Sequence, residues 1–135
     1  MEPRHPPIGG VHEAALYVRD LAAAERFWTR LGFEPVARVL GRHVFFRVGQ
    51  DVLLLLNPVA SLRPISVPPH GALGQGHVAF DVPDHAALEA WRARLQEAEI
   101  AIEHDHAWPG GGRSLYFRDT DGNSIELITR GTWGF

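Results

Sequence analysis

The chain of 135 residues contains no cysteine, and its 13 basic residues are all arginine. Without thiols there is no disulfide, no thiolate nucleophile and no sulfur-ligated metal. Without lysine, Schiff-base and lysine-base catalysis are excluded as well. No apolar run approaches the roughly 20 residues that a membrane span needs, and Met1 to Pro7 carries no apolar core of a signal peptide. The protein is therefore expected to be cytoplasmic, with no membrane partner. A net charge of −3, a pI near 6.2 and no basic cluster leave no electrostatic footprint for nucleic acid. What is present is a hydrophobic content of 45%, enough for a real core in one compact body.

The chain is organised around a repeat. Gly76-His77-Val78-Ala79-Phe80-Asp81-Val82-Pro83-Asp84 recurs in altered form as Val11 to Asp20, and His77 and Glu13 stand equally far ahead of the aspartates that end the two copies. Side chains alternate along a strand. Val78, Phe80 and Val82 thus share one face, as do Ala14, Leu16 and Val18, while the opposite faces carry His77, Ala79 and Asp81, and Glu13, Ala15 and Tyr17.

Each copy leads into the same order of elements. A strand at about 10–18 is followed by a helix capped by Asp20, with Leu21, Ala24, Phe27, Trp28 and Leu31 on one face, ending at Gly32. Strands at about 33–40, 43–48 and 52–57 follow, joined at Gly41-Arg42 and Gly49-Gln50-Asp51. Residues 1–9 read as a loose, proline-rich lead-in, and 58–75 as a linker of turn residues and proline. The second copy has a strand at about 76–82, a helix from Asp84 with Leu88, Trp91, Leu95 and Ala98 on one stripe, and strands at about 100–105, 113–118 and 123–129. The expected fold is α+β: two tandem βαβββ modules, 1–57 and 76–135, forming a curved mixed sheet with helices outside and a concave cleft.

Glu126 lies in the last strand on the side opposite Ile125 and Leu127, and a carboxylate buried there needs a partner. Aligning Gly49 with Gly122 makes Leu53 its counterpart, so the concave face carries Glu13, His77 and Glu126 with an apolar fourth corner. One imidazole and two carboxylates suit a dication that keeps positions open for water or substrate. The same residues are equally compatible with a hydrogen-bonded His77–Glu126 pair and a solvated Glu13. His43 is placed to line the cleft, and Tyr17 adds an aromatic surface there. Trp108 and Arg113, expected to touch substrate, flank Gly110-Gly111-Gly112, a lip over a pocket rather than a phosphate cradle because no helix follows it. His12 reads as structural, and His70, His85, His104 and His106 show no ligand spacing with one another. The apolar tail Thr132 to Phe135 is expected to cover the cleft or a partner subunit.

Four segments together resemble the vicinal-oxygen-chelate superfamily: Glu13 to Leu21, Arg26-Phe27-Trp28 with Leu31-Gly32-Phe33, Gly76 to Phe80, and Ser114 to Leu127. That superfamily includes glyoxalase I, fosfomycin-resistance transferases, methylmalonyl-CoA epimerases, extradiol dioxygenases and metal-free bleomycin-resistance proteins. The resemblance implies one divalent ion (Mn, Ni, Fe or Zn) bound at Glu13, His77 and Glu126. Extradiol dioxygenases of the family use two histidines and a glutamate, whereas the first ligand position here is Glu13. Glyoxalase I has a further glutamate at the position assigned to Leu53. Ser114 and Tyr116 match residues that contact the phosphonate in fosfomycin-resistance proteins, although Ala15 replaces their threonine and no lysine is present. The expectation is a homodimeric, metal-dependent lyase or isomerase acting on a small oxygen-chelating substrate, with Glu126 and Glu13 catalytic. The alternatives are a metal-free drug-binding resistance protein and a ring-cleaving dioxygenase.

Overall fold

The structure is a computed structural model that describes residues 6–7, 11–63, 67–72 and 74–134. Most of the expected lead-in, residues 64–66 and 73 of the linker and Phe135 of the tail lie outside these. The elements run β1 (Glu13–Tyr17), α1 (Leu21–Arg30), β2 (Glu34–Val39), β3 (His43–Val48), β4 (Asp51–Leu56), α2 (Pro58–Ser61), β5 (His77–Val82), α3 (His85–Glu97), β6 (His104–Ala107), β7 (Arg113–Arg118) and β8 (Ser124–Thr129). Two α+β modules of the same order result. Their strands form two four-stranded sheets, β1-β4-β3-β2 and β5-β8-β7-β6, in which β1/β4 and β5/β8 are parallel and the other pairs antiparallel. Within the linker, α2 is one short turn of helix: Asn57 Oδ1 accepts from the Val59 and Ala60 amides, and proline opens the helix. Among the described residues no helix is long and apolar enough to cross a membrane.

Both long helices start and stop by the same devices. The Asp20 and Asp84 carboxylates accept from Ala23 N (3.0 Å) and Ala87 N (2.8 Å). At the far ends, Phe33 N donates to Trp28 O and Ile100 N to Leu95 O, the bond of a Schellman cap. Such a cap puts one residue in the left-handed region. In α1 it is Gly32, and in α3 it is Glu99 at φ 58°. Because the chain is still wrapping back onto α3 at Ile100, the next strand starts at His104 rather than near residue 100.

The helix-side faces of the two sheets share one core. Trp28 of α1 meets Phe80 of β5 edge-on at 5.8 Å, Phe33 stacks on Trp91 of α3 at 5.7 Å, and Phe27 lies 6.3 Å from Phe117 of β7. Leu16, Val18, Phe46, Leu53, Leu55, Leu88, Leu95, Ile125 and Leu127 belong to the same cluster. Since side chains alternate, the opposite face of each sheet must point away from this core. Trp28 is fully buried, and its indole N–H has no acceptor among the described residues. Trp28→Ala is expected to cost about 3–5 kcal/mol. Trp28→Phe should cost clearly less, because no hydrogen bond is lost; chemical denaturation of the two variants checks the order.

Register corrects one expectation. Leu53 is 1% exposed, pairs with Ala14 and Phe46, and belongs to the core. In the parallel ladders Ala15 opposes Leu54 where Ala79 opposes Glu126, so the counterpart of Glu126 is Leu54, on the helix-free face.

Candidate functional site

A buried knot between β7 and β8 sets the geometry. Asp119 Oδ1 accepts from the Asp121 and Asn123 amides, and Asp119 Oδ2 accepts from Asn123 Nδ2 at 2.9 Å. Asn123 Oδ1 in turn accepts from Gly76 N at 2.7 Å. The start of β5, and with it His77, is thereby fixed against the start of β8.

His77 is oriented by its own strand partner. Its Nδ1 lies 2.9 Å from the Ser124 carbonyl, which can only accept, so Nδ1 carries a proton and donates it. A neutral His77 then presents a bare Nε2 lone pair, and that atom faces Glu126 Oε1 at 3.2 Å. Two acceptors at this distance repel unless a proton or a cation lies between them. The second Glu126 oxygen is committed: Ser114 Oγ–H donates to Oε2 at 2.6 Å while accepting from Trp108 Nε1–H at 2.9 Å. The Glu126 side chain is 8% exposed and that of His77 50%, so the pair sits at the wall of an open surface with one carboxylate oxygen and one imidazole nitrogen turned to it. An imidazole fixed through a backbone carbonyl and a carboxylate fixed through a hydroxyl are both held in orientation from behind.

Tyr116, half-buried, stands opposite Glu126 in the ladder with its ring 6.4 Å from that of His77. Burial first, then the Glu126 carboxylate, pushes its phenol above the usual range, so it remains a donor. Ser114 is fully buried and spends its hydroxyl on Glu126 and Trp108. Trp108 packs edge-on against His106 (4.4 Å) and Trp133 (4.8 Å), so the tail reaches the rim of this face. Arg113 turns to the helix side, where it pairs with Asp105 beside Arg92 of α3.

The first sheet contributes a different wall. Glu13 is exposed on the helix-free face of β1 and makes no hydrogen bond or ion pair among the described residues. On the same face, Tyr17 Oη lies 2.5 Å from His70 Nδ1, and the His43 ring stacks on Phe45 at 4.1 Å. Burial, then the Arg42 charge, lowers the His43 pKa. Leu54 and Leu56 are nearly buried there, at 7% and 6% exposure. Within one chain Glu13 is not brought to His77 and Glu126. Among the described residues no three His, Asp or Glu side chains form a metal-binding group.

The model of the Glyoxalase/Bleomycin resistance protein/Dioxygenase superfamily matches residues 10–127. The chain belongs to this superfamily. A crystal structure of lactoylglutathione lyase from Agrobacterium tumefaciens is similar to it at 42% identity and TM-score 0.91, over 96% of this chain and 100% of that one. An integron cassette protein from the Halifax Harbour sewage metagenome has TM-score 0.73 at 23% identity, over 90% of this chain and 99% of its own. A glyoxalase/bleomycin resistance protein/dioxygenase from Nocardioides has TM-score 0.72 at 21% identity, over 93% and 86%. The last two show the superfamily fold alone. No curated protein matches the chain.

The sequence reading missed the pair His104 and His106. With β6 beginning at His104, the two lie on one face of that strand, with Nε2 of the first 3.2 Å from Nδ1 of the second.

Proposed function

We propose that this superfamily member is a metal-dependent lyase or isomerase acting on a small substrate that offers two oxygens. The dication would be held by His77 Nε2 and Glu126 Oε1 of one chain and by Glu13 of a second copy. The observation that carries the reading is the 3.2 Å approach of His77 Nε2 to Glu126 Oε1, with the imidazole fixed from behind by the Ser124 carbonyl and the carboxylate by the Ser114 hydroxyl. One imidazole and two carboxylates fit a dication of the Mn, Fe, Ni or Zn kind and neutralise its charge. Glu13 comes from a partner in this reading because, among the described residues of one chain, it is not gathered with His77 and Glu126. Two copies would set the polar face of β5-β8-β7-β6 against the apolar face of β1-β4-β3-β2, with Leu54 where a fourth polar ligand would otherwise stand. Similarity to a lactoylglutathione lyase supports the lyase class.

When bound, the ion would supply Lewis acidity to two substrate oxygens. The remaining work falls to the chain. Glu126 has one oxygen committed to Ser114 and the other turned to His77, so it is the less mobile of the two carboxylates. Glu13, which has no hydrogen-bond or ion-pair partner among the described residues, would be the base, with one of its two oxygens left for the proton: it would take a proton from the carbon beside a substrate carbonyl and return it to the neighbouring carbon. Tyr116, held protonated, would donate to a substrate oxygen. Leu54, Leu56, Phe45 and Tyr17 would cover the apolar part of the substrate and exclude water.

Calorimetric titration tests this against metal-free drug binding. A 2-hydroxy acid or hydroxamate is expected to bind the metal-loaded protein and to lose at least about tenfold in affinity after chelator treatment, since both oxygens need the ion. Metal-independent binding of a bulky aromatic drug, with no affinity for the bidentate ligands, would replace the enzyme reading by a sequestering protein.

A further inference from the structure

We propose that His104 and His106 form a second, separate site for an imidazole-seeking dication on the edge strand β6. They are two apart on one strand, so both rings project to the helix-free side, opposite Tyr116 and Ser114 in the ladder. His104 Nε2 and His106 Nδ1 are 3.2 Å apart. In the metal-free chain one nitrogen donates to the other. That separation is also compatible with chelation: once the donor nitrogen gives up its proton and both rings turn their lone pairs to one ion, metal–nitrogen bonds of about 2.0–2.1 Å at this spacing subtend roughly 100°, between the octahedral and tetrahedral values.

Three features hold the pair ready. Asp105, between the two histidines, points the other way and is clamped by Arg92 of α3 and Arg113 of β7, which pins the backbone that carries both rings. Trp108 supports the His106 ring at 4.4 Å, and Tyr116 lies 5.8 Å from the His104 ring. The Tyr116 ring also separates the pair from His77, so a cation here would share no ligand with the His77–Glu126 pair. Two imidazoles without a carboxylate select Cu²⁺ most strongly, then Ni²⁺ and Zn²⁺, over Mg²⁺, Ca²⁺ or Mn²⁺. Water fills the remaining positions. The inference does not depend on the function proposed above.

The test is Cu²⁺ titration of the full chain carrying Glu126→Ala, followed by electron paramagnetic resonance and tryptophan fluorescence. One equivalent should bind with hyperfine coupling to two imidazole nitrogens, and it should quench Trp108, the indole nearest the pair. His104→Ala and His106→Ala should each weaken this equivalent at least tenfold, and His104→Gln should match His104→Ala while preserving a polar side chain on the edge. Trp108→Phe should retain the ion and lose most of the quenching. Unchanged Cu²⁺ affinity in the His104→Ala/His106→Ala chain would assign the ion to other histidines and overturn the proposal. So would the absence of a two-imidazole signal in the Glu126→Ala chain.

Discussion

Glu126→Ala is expected to strip the site of its dication, from about one ion per chain to none detectable by elemental analysis after Mn²⁺ loading and desalting. His77→Ala should do the same. Either change leaves a single protein donor beside Glu13, too few to hold a dication against water. The loss should exceed the roughly 10–100-fold in affinity that removal of an outer-shell partner typically costs. Ser114→Ala falls in that smaller range. Its hydroxyl fixes Glu126 Oε2 at 2.6 Å and is itself fixed by Trp108, so without it the carboxylate is free to rotate away from His77 but is still present. The ranking separates ligands from their supports: Glu126 and His77 large, Ser114 intermediate. Equal metal content in wild type and Glu126→Ala would remove the site altogether. His104 and His106 offer a competing location for Ni²⁺ or Zn²⁺, so Mn²⁺, which two imidazoles hold poorly, is the cleanest reporter.

Much of this wall was legible in the sequence because it follows from period-two alternation. His77, Glu126 and Tyr116 stand on the helix-free face as parity requires, and the apolar stripes of α1 and α3 lie in the core. The caps Asp20 and Asp84 were legible for the same local reason. What escaped were positions where a turn rather than a strand sets the count. The turn between β3 and β4 is two residues, 49–50, whereas that between β7 and β8 is five, 119–123. Aligning their glycines therefore slips the register by an odd number, and an odd slip exchanges faces. That is how Leu53, a core residue, took the place of Leu54. The left-handed Glu99 is a second instance, since a glutamate gives no sign of a Schellman cap where Gly32 does. Missing it moved β6 and hid the shared face of His104 and His106. Beyond reach of any local pattern was the packing of the two modules through their helix sides, because an apolar helix face specifies that it is buried and not against what.

That packing underlies the last expectation. If His77 and Glu126 of one chain take Glu13 from another, a Glu13→Ala chain and a Glu126→Ala chain should each bind no Mn²⁺ alone yet recover binding when mixed. A twofold pair has two equivalent sites. In the mixed pair one site carries both defects, while the other combines the intact Glu13 of the Glu126→Ala chain with the intact His77 and Glu126 of the Glu13→Ala chain. Random exchange at equal concentrations makes half of the pairs mixed, so metal content should return to about a quarter of the wild-type level. Elemental analysis after unfolding and refolding the mixture reads this directly, and the separately refolded chains are the zero. Recovery at that level excludes a site built within one chain, for there every molecule in the mixture still lacks a ligand. If the mixture stays at zero while wild type refolded in parallel binds its ion, or if wild type is monomeric at micromolar concentration by light scattering, the composite site is wrong, and any ion held by His77 and Glu126 would have to find its third ligand within the same chain.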